Sequence, residues 1–180
     1  MAPQQSPARF PVRMRILHWL LAALLLSQLF IGVAMVTSLV DYHCLVALHR
    51  PLGIAILVLA IARLVNRKLS ELPPFPVTMS ERERKVASLS ERLLYSLMIG
   101  LPLVGWAMLS AGSYPIVIYG SFHLPAILPA SPPWFAALRH AHTVLAYLLF
   151  FTFLGHLSAV LFHALIVRDG LLKRMASWRK

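Results

Sequence analysis

Charged residues, acidic ones above all, and cysteine are scarce in this chain of 180 residues. Six residues are Asp or Glu, charged side chains make up 13%, and there is one cysteine. A single cysteine excludes a disulfide framework, a cysteine-ligated iron–sulfur cluster, a Cys-rich zinc site and haem attachment through Cys-x-x-Cys-His. Soluble domains carry about 25% charged residues. With 59% hydrophobic residues and a mean hydropathy of +0.74, this chain has too few polar side chains for a surface in water, so we expect lipid around it.

Basic residues outnumber acidic ones by 17 to 6, which gives a net charge of +11. In a soluble protein such an excess would indicate nucleic-acid binding. Here the Lys and Arg residues concentrate in the terminal segments and in one connector, the kind of distribution that sets membrane topology. No nucleic-acid partner is expected.

Four hydrophobic segments are long enough to cross a bilayer, which takes about 20 residues. We predict spans at residues 16–38, 45–66, 93–112 and 140–167. A cleaved signal peptide is the alternative for the first, but its apolar run continues to Val40, beyond the about 7–15 residues of a signal sequence. Arg50 and Arg63 interrupt the second span near its ends, where arginine can snorkel to the interface. The expected fold is an all-α, integral membrane four-helix bundle, residues 13–178, after an N-terminal tail, residues 1–12.

The connectors differ in composition. Residues 113–133 contain five prolines among aromatic residues, a density that forbids a regular helix, so we expect an interfacial loop there. Residues 67–92 are polar and include the charged run Glu81-Arg82-Glu83-Arg84-Lys85. Of the 17 Lys and Arg residues, only Arg50 and Arg139 fall on the side opposite the termini, a 15 to 2 division. Because basic flanking residues stay in the cytoplasm, both termini are predicted to be cytoplasmic.

Eight histidines are present, and a histidine within a membrane span needs a partner because its burial in lipid is costly. His142 and His156 are separated by nearly four helical turns, so they share one face of span four about 21 Å apart. His49 begins span two at the outer depth of His142. His18 begins span one at the inner depth of His156. The spacing therefore predicts two pairs, His49 with His142 and His18 with His156.

Two imidazoles that face each other across a bundle core can hold a haem iron from both axial positions. Two stacked haems would form an electron path across most of the membrane. Two alternatives remain at this point. The histidines can simply hydrogen-bond neighbouring helices, or they can bind zinc, although zinc needs clustered ligands rather than ligands about 21 Å apart.

Three further residues are candidates for accessory roles. His163 lies one heptad beyond His156 near the inner boundary, where it could donate a hydrogen bond to a quinone carbonyl or merely lie among headgroups. Arg50 and Arg139 lie next to His49 and near His142. They could attract an anionic donor towards the outer haem or bind haem propionates.

Short motifs in all four spans are similar to those of a known family. They are Arg15-Ile16-Leu17-His18-Trp19, Leu48-His49-Arg50-Pro51-Leu52-Gly53, Leu94-Tyr95, Leu101-Pro102-Leu103-Val104-Gly105-Trp106, and the histidines of span four followed by Arg168-Asp169 and Leu172-Lys173-Arg174-Met175. Over about residues 12–178 the chain resembles the prokaryotic cytochrome b561 family of di-haem b-type membrane cytochromes. It departs from the family at Glu91, where relatives often have a histidine.

The resemblance implies that His18, His49, His142 and His156 are axial ligands of two haem b groups, and that His163 lies near the inner quinone. It also implies a multi-pass protein of the bacterial inner membrane that exchanges electrons with the quinone pool. The best-understood member type oxidises superoxide and reduces ubiquinone, and that activity is expected here. The alternatives are a quinol-oxidising cytochrome b subunit with a periplasmic redox partner, and a non-catalytic membrane scaffold.

Overall fold

Four long helices make up most of the protein. The computed structural model describes residues 9–120 and 122–177. The helices are α1 (Val12–Thr37), α2 (Tyr42–Leu69), α3 (Glu81–Ala111) and α4 (Pro132–Phe162), and α4 continues into a π-helical turn (His163–Val167) and a short helix α5 (Leu171–Ala176). Each long helix is long and apolar enough to cross a membrane. The predicted four-helix membrane bundle is confirmed.

Helix α3 begins well before the predicted span, because Ser80 caps it. The Ser80 hydroxyl accepts a hydrogen bond from the Glu83 N–H at 3.3 Å, and the Glu83 carboxylate accepts one from the Ser80 N–H at 2.6 Å. This reciprocal capping box satisfies two amide groups that a helix start leaves unpaired. The same hydrogen bonds, from the Ser80 backbone first, hold the pKa of Glu83 below its usual value. The charged run of the connector is therefore helical and extends α3 beyond the apolar segment.

The helices pack in chain order around a small apolar core. α1 packs along α2, α2 along α3 and α3 along α4, whereas α1 and α4 approach each other only weakly. The buried core lies near the middle of the bundle and consists of Leu21, Leu25, Ile56, Ala60, Tyr95, Leu97, Met98 and Leu149. Between 6% and 28% of the most apolar window of each long helix is buried inside the protein. The remaining apolar surface faces outwards, where a lipid bilayer would cover it.

The proline-rich segment between α3 and α4 forms a short β-hairpin rather than a wholly irregular loop. Strands β1 (Ile116–Tyr119) and β2 (Phe122–Leu124) pair antiparallel. The segment is attached to the bundle by hydrogen bonds, such as that from the Trp106 indole N–H to the Pro125 carbonyl at 2.9 Å. At Gly112 a Cβ atom would lie 2.7–2.8 Å from the rings of Tyr114 and Phe135, so only glycine lets the chain turn this tightly at the end of α3. The hairpin thereby covers one end of the bundle.

The opposite end holds both ends of the described chain. The Phe10 N–H donates to the Arg174 carbonyl at 3.2 Å, and the Trp19 indole N–H donates to the Met175 carbonyl at 3.2 Å. These bonds attach α5 to the start of α1. We call the part of the bundle near the hairpin, with His49 and His142, the outer level. The part nearer the ends of the described chain, with His18 and His156, is the inner level.

Candidate cofactor site

The structure brings His49 of α2 and His142 of α4 together at the outer level. Their ring centroids are 6.3 Å apart and their planes are inclined by 68°. The Nδ1 atom of each ring is buried, and neither has a hydrogen-bond partner among the described residues. Leaving a buried polar atom unpaired costs about 1–3 kcal/mol. A group that binds both imidazoles and fixes their ring orientation would account for such an arrangement.

The separation of the two rings suits one iron atom between them. A bond from a metal to an imidazole nitrogen is about 2 Å long, and about 1 Å separates that nitrogen from the ring centre, so two axial imidazoles have centroids about 6 Å apart. Within residues 9–120 and 122–177, no three His, Cys, Asp or Glu side chains converge as a free metal ion would require. A haem, which supplies its own equatorial nitrogens and needs two axial imidazoles, fits the outer level.

Neighbouring helices hold both outer histidines in place. The Gln28 side-chain amide on α1 donates to the His49 backbone carbonyl at 3.0 Å. On α3, a Cβ atom at Gly105 would lie 3.2 Å from Cε1 of His142, so glycine gives this ring its room. The Leu101 backbone lies close to the same ring without completing a hydrogen bond of ordinary geometry. The outer pair is therefore positioned by contacts from both of the other long helices.

An apolar layer separates the two levels. Leu149 lies seven residues from each of His142 and His156, and it is the buried residue of α4, with 3% exposure. It belongs to the central core. Since residues seven apart lie on nearly the same helical face, His142, Leu149 and His156 all project towards the bundle interior. The histidines therefore form two separate sites instead of one cluster.

The inner level differs because an arginine occupies it. His18 and His156 are near enough to interact electrostatically. Nη2 of Arg63 lies 3.3 Å from Nδ1 of His18, and because a guanidinium only donates, the ring nitrogen is the acceptor. Nη1 of Arg63 donates to the hydroxyl of Tyr95, and the guanidinium lies 5.1 Å from the centre of the Tyr95 ring.

The expectation that Arg63 snorkels to the membrane interface is therefore wrong. Arg63 is 8% exposed, since His18 and Tyr95 provide hydrogen-bond partners inside the bundle. One turn further along α2, Arg67 forms a bidentate ion pair with Glu91 of α3, with distances of 2.5 and 2.6 Å. Glu91, the position at which the chain departs from the family pattern, thus balances the charge of Arg67.

The other predicted site residues lie as follows. Arg50 donates to the Pro115 carbonyl at 3.2 Å, which links α2 to the hairpin. Arg139 is exposed on the outer part of α4 and borders a shallow surface pocket with His140. Roles for these arginines in binding propionates or anions stay predictions. His163 is buried, and its Nδ1 lies 2.7 Å from the Asp169 carboxylate.

Three residues of this constellation were not predicted from the sequence: Gln28, Arg63 in its buried role, and Asp169. A signal existed for Arg63, because an arginine within a membrane span indicates a functional site unless it reaches the interface. Gln28 lies in the middle of span one and Asp169 lies just beyond span four, and a polar residue at such a position does not by itself identify a partner.

Four membrane-crossing helices with paired histidines in their core define the class of the protein, a membrane cytochrome of the b type. Comparisons with known proteins agree. The family model described as prokaryotic cytochrome b561 matches residues 9–178. The chain belongs to the prokaryotic cytochrome b561 family.

Relatives of known sequence support this membership. The chain is 30% identical to cytochrome b561 homolog 2 of Escherichia coli (strain K12), over 94% of this chain and 92% of the relative. It is also 30% identical to cytochrome b561 homolog 1 of the same organism, over 73% and 74% of the two chains. Identity to the probable superoxide oxidase CybB of Yersinia pestis is 29%, over 71% and 72%.

Membership confirms several predictions made from the sequence. The family binds haem b and transfers electrons in bacterial membranes, so this protein is a haem-binding membrane electron carrier. The number of haem groups is a narrower question, which the paired histidines address.

Proposed function

We propose that the protein binds two haem b groups, one between His49 and His142 and one between His18 and His156, and carries electrons from superoxide to ubiquinone. The observation that carries this proposal is the 6.3 Å separation of the His49 and His142 rings across the bundle. When bound, haem b supplies one-electron exchange at its iron. The equal spacing of His142 and His156 about Leu149 supports a second site of the same kind.

The proposed orientation of the protein in the membrane follows from the distribution of its Lys and Arg residues. Within residues 9–120 and 122–177, the Lys and Arg residues other than Arg50 and Arg139 belong to the half of the bundle that contains the inner level or to the segments at that end. Basic residues next to membrane spans are retained in the cytoplasm. We therefore place the inner level on the cytoplasmic side of the inner membrane and the hairpin on the periplasmic side.

The protein side chains bind and position rather than react. The four histidines hold iron, Leu149 and its neighbours exclude water between the two levels, and Gln28 fixes the backbone of His49. Arg139 is exposed close to the outer level, where its positive charge would favour the approach of an anion. His163 is proposed to contact the quinone at the cytoplasmic end.

Superoxide is proposed as the donor because a relative carries that activity in its name, the probable superoxide oxidase of Yersinia pestis. Oxidation of superoxide releases one electron and dioxygen, which suits a one-electron carrier. Reduction of ubiquinone to ubiquinol takes two electrons and two protons, so two superoxide ions balance one quinone.

The test uses purified oxidised protein in detergent. A pulse of superoxide should produce the absorption bands of reduced haem b faster than superoxide dismutes by itself, and added decylubiquinone should then return the spectrum to the oxidised form. The matched control adds superoxide dismutase before the pulse and should abolish the reduction.

Two results would contradict the proposal. Failure of superoxide to reduce the haem above the control removes superoxide as donor. Rapid reduction by decylubiquinol followed by slow reoxidation by decylubiquinone would instead favour quinol oxidation with a periplasmic acceptor.

A further inference from the structure

A buried acid–base pair lies beyond the inner level at the cytoplasmic end of α4. The Nδ1 atom of His163 is 2.7 Å from Oδ2 of Asp169, and the two side chains are 8% and 1% exposed. The other carboxylate oxygen, Oδ1, accepts the Leu171 N–H at 3.0 Å. The Thr78 hydroxyl, on the connector before α3, lies 3.5 Å from Oδ2. Both carboxylate oxygens are thus held in fixed positions.

The backbone between the two residues is shaped to bring them together. On an uninterrupted helix, a residue six positions after His163 would point about 240° away from it. Instead the chain forms a π-helical turn, closed by the Arg168 N–H on the His163 carbonyl at 2.7 Å. Arg168 and Gly170 then adopt left-handed conformations, with φ of 57° and 76°. A non-glycine residue in this region is uncommon and costs energy, and the result of the turn is that Asp169 returns to His163.

The pair leaves one nitrogen of the imidazole available. Asp169 engages Nδ1, and Nε2 of His163 has no hydrogen-bond partner in residues 9–120 or 122–177 and is not sealed inside protein. Burial alone would raise the pKa of Asp169, but the hydrogen bonds from Leu171 and His163 outweigh it and keep this pKa below its usual value. The carboxylate therefore stays charged at neutral pH.

Through its contact with Nδ1, the Asp169 carboxylate fixes the orientation of the His163 ring and leaves Nε2 as the nitrogen that can donate. Glu83 near the start of α3 also acts electrostatically on His163, although it is fully exposed. Among the described elements around His163, the connector before α3 contributes only the neutral Thr78 hydroxyl to the contacts of Asp169, and α5 contributes the Leu171 N–H. Asp169 is the one anion in direct contact with the ring.

We propose that Asp169 is a positioning residue that makes His163 the proton donor to ubiquinone. This inference rests on quinone reduction as the proposed function. The quinone gains two electrons from the cytochrome and two protons. One of these protons leaves Nε2 of His163: the N–H bond breaks, an O–H bond forms on the quinone oxygen, and the imidazole becomes neutral with Nδ1–H still donated to Asp169. Water on the cytoplasmic side then returns a proton to Nε2.

The experiment measures reoxidation of pre-reduced protein by decylubiquinone in a stopped-flow spectrometer between pH 5.5 and 9. The wild-type rate should depend on pH, because the step transfers a proton. In Asp169→Asn the hydrogen bond to Leu171 can persist but the carboxylate charge is lost, so we expect a different pH profile and a rate at pH 7.5 reduced about tenfold. His163→Gln should be equally slow and should lack the wild-type pH dependence.

Matched variants separate this role from a structural one. Glu83→Gln removes a nearby negative charge while it keeps a capping side chain, and its profile should match the wild type. Asp169→Glu should restore part of the rate. In all variants the visible spectrum and the haem content should be unchanged, and superoxide should still reduce the haem. Should Asp169→Asn fail to retain haem, the rate of His163→Gln tests the proposal, because this variant keeps the hydrogen bond between Asp169 and the Leu171 N–H.

The possible failures are distinguishable. If wild-type haem is not reoxidised by decylubiquinone, the proposed quinone function falls and this inference falls with it. If the wild type is reoxidised but Asp169→Asn and His163→Gln keep its rate and pH profile, only the inference is overturned. Equal effects of Glu83→Gln and Asp169→Asn would also overturn it, since they would indicate a general charge effect.

Discussion

The outer and inner histidine levels are built on the same bundle but differ in charge. At the outer level His49 and His142 face each other, and their buried Nδ1 atoms have no partner among the described residues. At the inner level the imidazole of His18 accepts a hydrogen bond from Arg63, a buried cation that also contacts Tyr95. Both levels supply two imidazoles, yet among the described residues only the inner level places a guanidinium directly against an imidazole.

This difference has a consequence for electron transfer. Arg67 is balanced by Glu91, whereas the described part of the chain offers Arg63 no carboxylate partner. A positive charge that is not balanced stabilises a neighbouring site when an electron is added, and it does so more strongly in a medium of low dielectric constant. If both levels bind haem, the arginine would make the inner one easier to reduce, which favours electron flow from the outer level to the inner level.

The largest expected effect comes from removing the ligands. His49→Ala or His142→Ala should lose the outer haem and keep the inner one, whereas His18→Ala or His156→Ala should do the reverse, because each iron needs both imidazoles. Haem content by the pyridine haemochrome assay should fall to about half, and redox titration should identify which haem remains.

His140→Ala is the matched control for the ligand variants, because His140 neighbours His142 but is exposed on a different face of α4. Its haem content should equal that of the wild type. Loss of the same haem from His18→Ala and His49→Ala would contradict the pairing by level, and full haem content in all four ligand variants would exclude these histidines as ligands.

A smaller effect is expected when the difference in charge between the inner and outer levels is reduced. Arg63→Leu removes the buried cation, so the midpoint potential of the inner haem should fall on the order of 60 mV, the one-electron equivalent of a tenfold change in equilibrium. Arg63→Lys keeps the charge and should shift it less. The haem proposed for the outer level, beyond the Leu149 layer, would serve as the internal reference in the same redox titration.

An unchanged inner potential in Arg63→Leu would show that Arg63 is structural, with Tyr95 as its main partner. Equal shifts of both potentials would indicate a change in the whole bundle and would remove the distinction between the levels. Tyr95→Phe, which loses the hydroxyl but not the charge of Arg63, separates the contribution of the hydrogen bond from that of the cation.

The fold was predictable from the sequence because the membrane limits the choices. Apolar runs of the length of a bilayer become helices, since lipid leaves no other way to pair the backbone. The ends of the helices were less predictable. Helix α3 starts at Glu81 in a polar segment because of the Ser80 cap, and α4 starts at Pro132 within the proline-rich segment, since proline is tolerated in the first turn of a helix.

The candidate site was predictable where it depends on helical periodicity and depth. The spacing of His142 and His156 by nearly four turns and the position of His49 at the start of its span led to the outer pair that the structure brings together. The partners of Arg63 and Asp169 were not predictable. The contact of Arg63 with His18 depends on which face of α2 turns towards α1. The contact of Asp169 with His163 depends on a π-helical turn and two left-handed residues, which no periodic pattern encodes.

The smallest expected effect concerns the ion pair between Arg67 and Glu91 at the inner end of the bundle. Arg67 and Glu91 are 29% and 33% exposed, so water and headgroups screen their attraction. A double-mutant cycle of Arg67→Met and Glu91→Gln, followed by thermal unfolding in detergent, should give a coupling energy of about 0.5–1 kcal/mol. Because Glu91 balances Arg67, Glu91→Gln should also raise the potential of the inner haem slightly, opposite in sign to Arg63→Leu. An unchanged potential would mean that the charge of Glu91 does not reach the inner level, and that Arg63 alone sets the difference between the two levels.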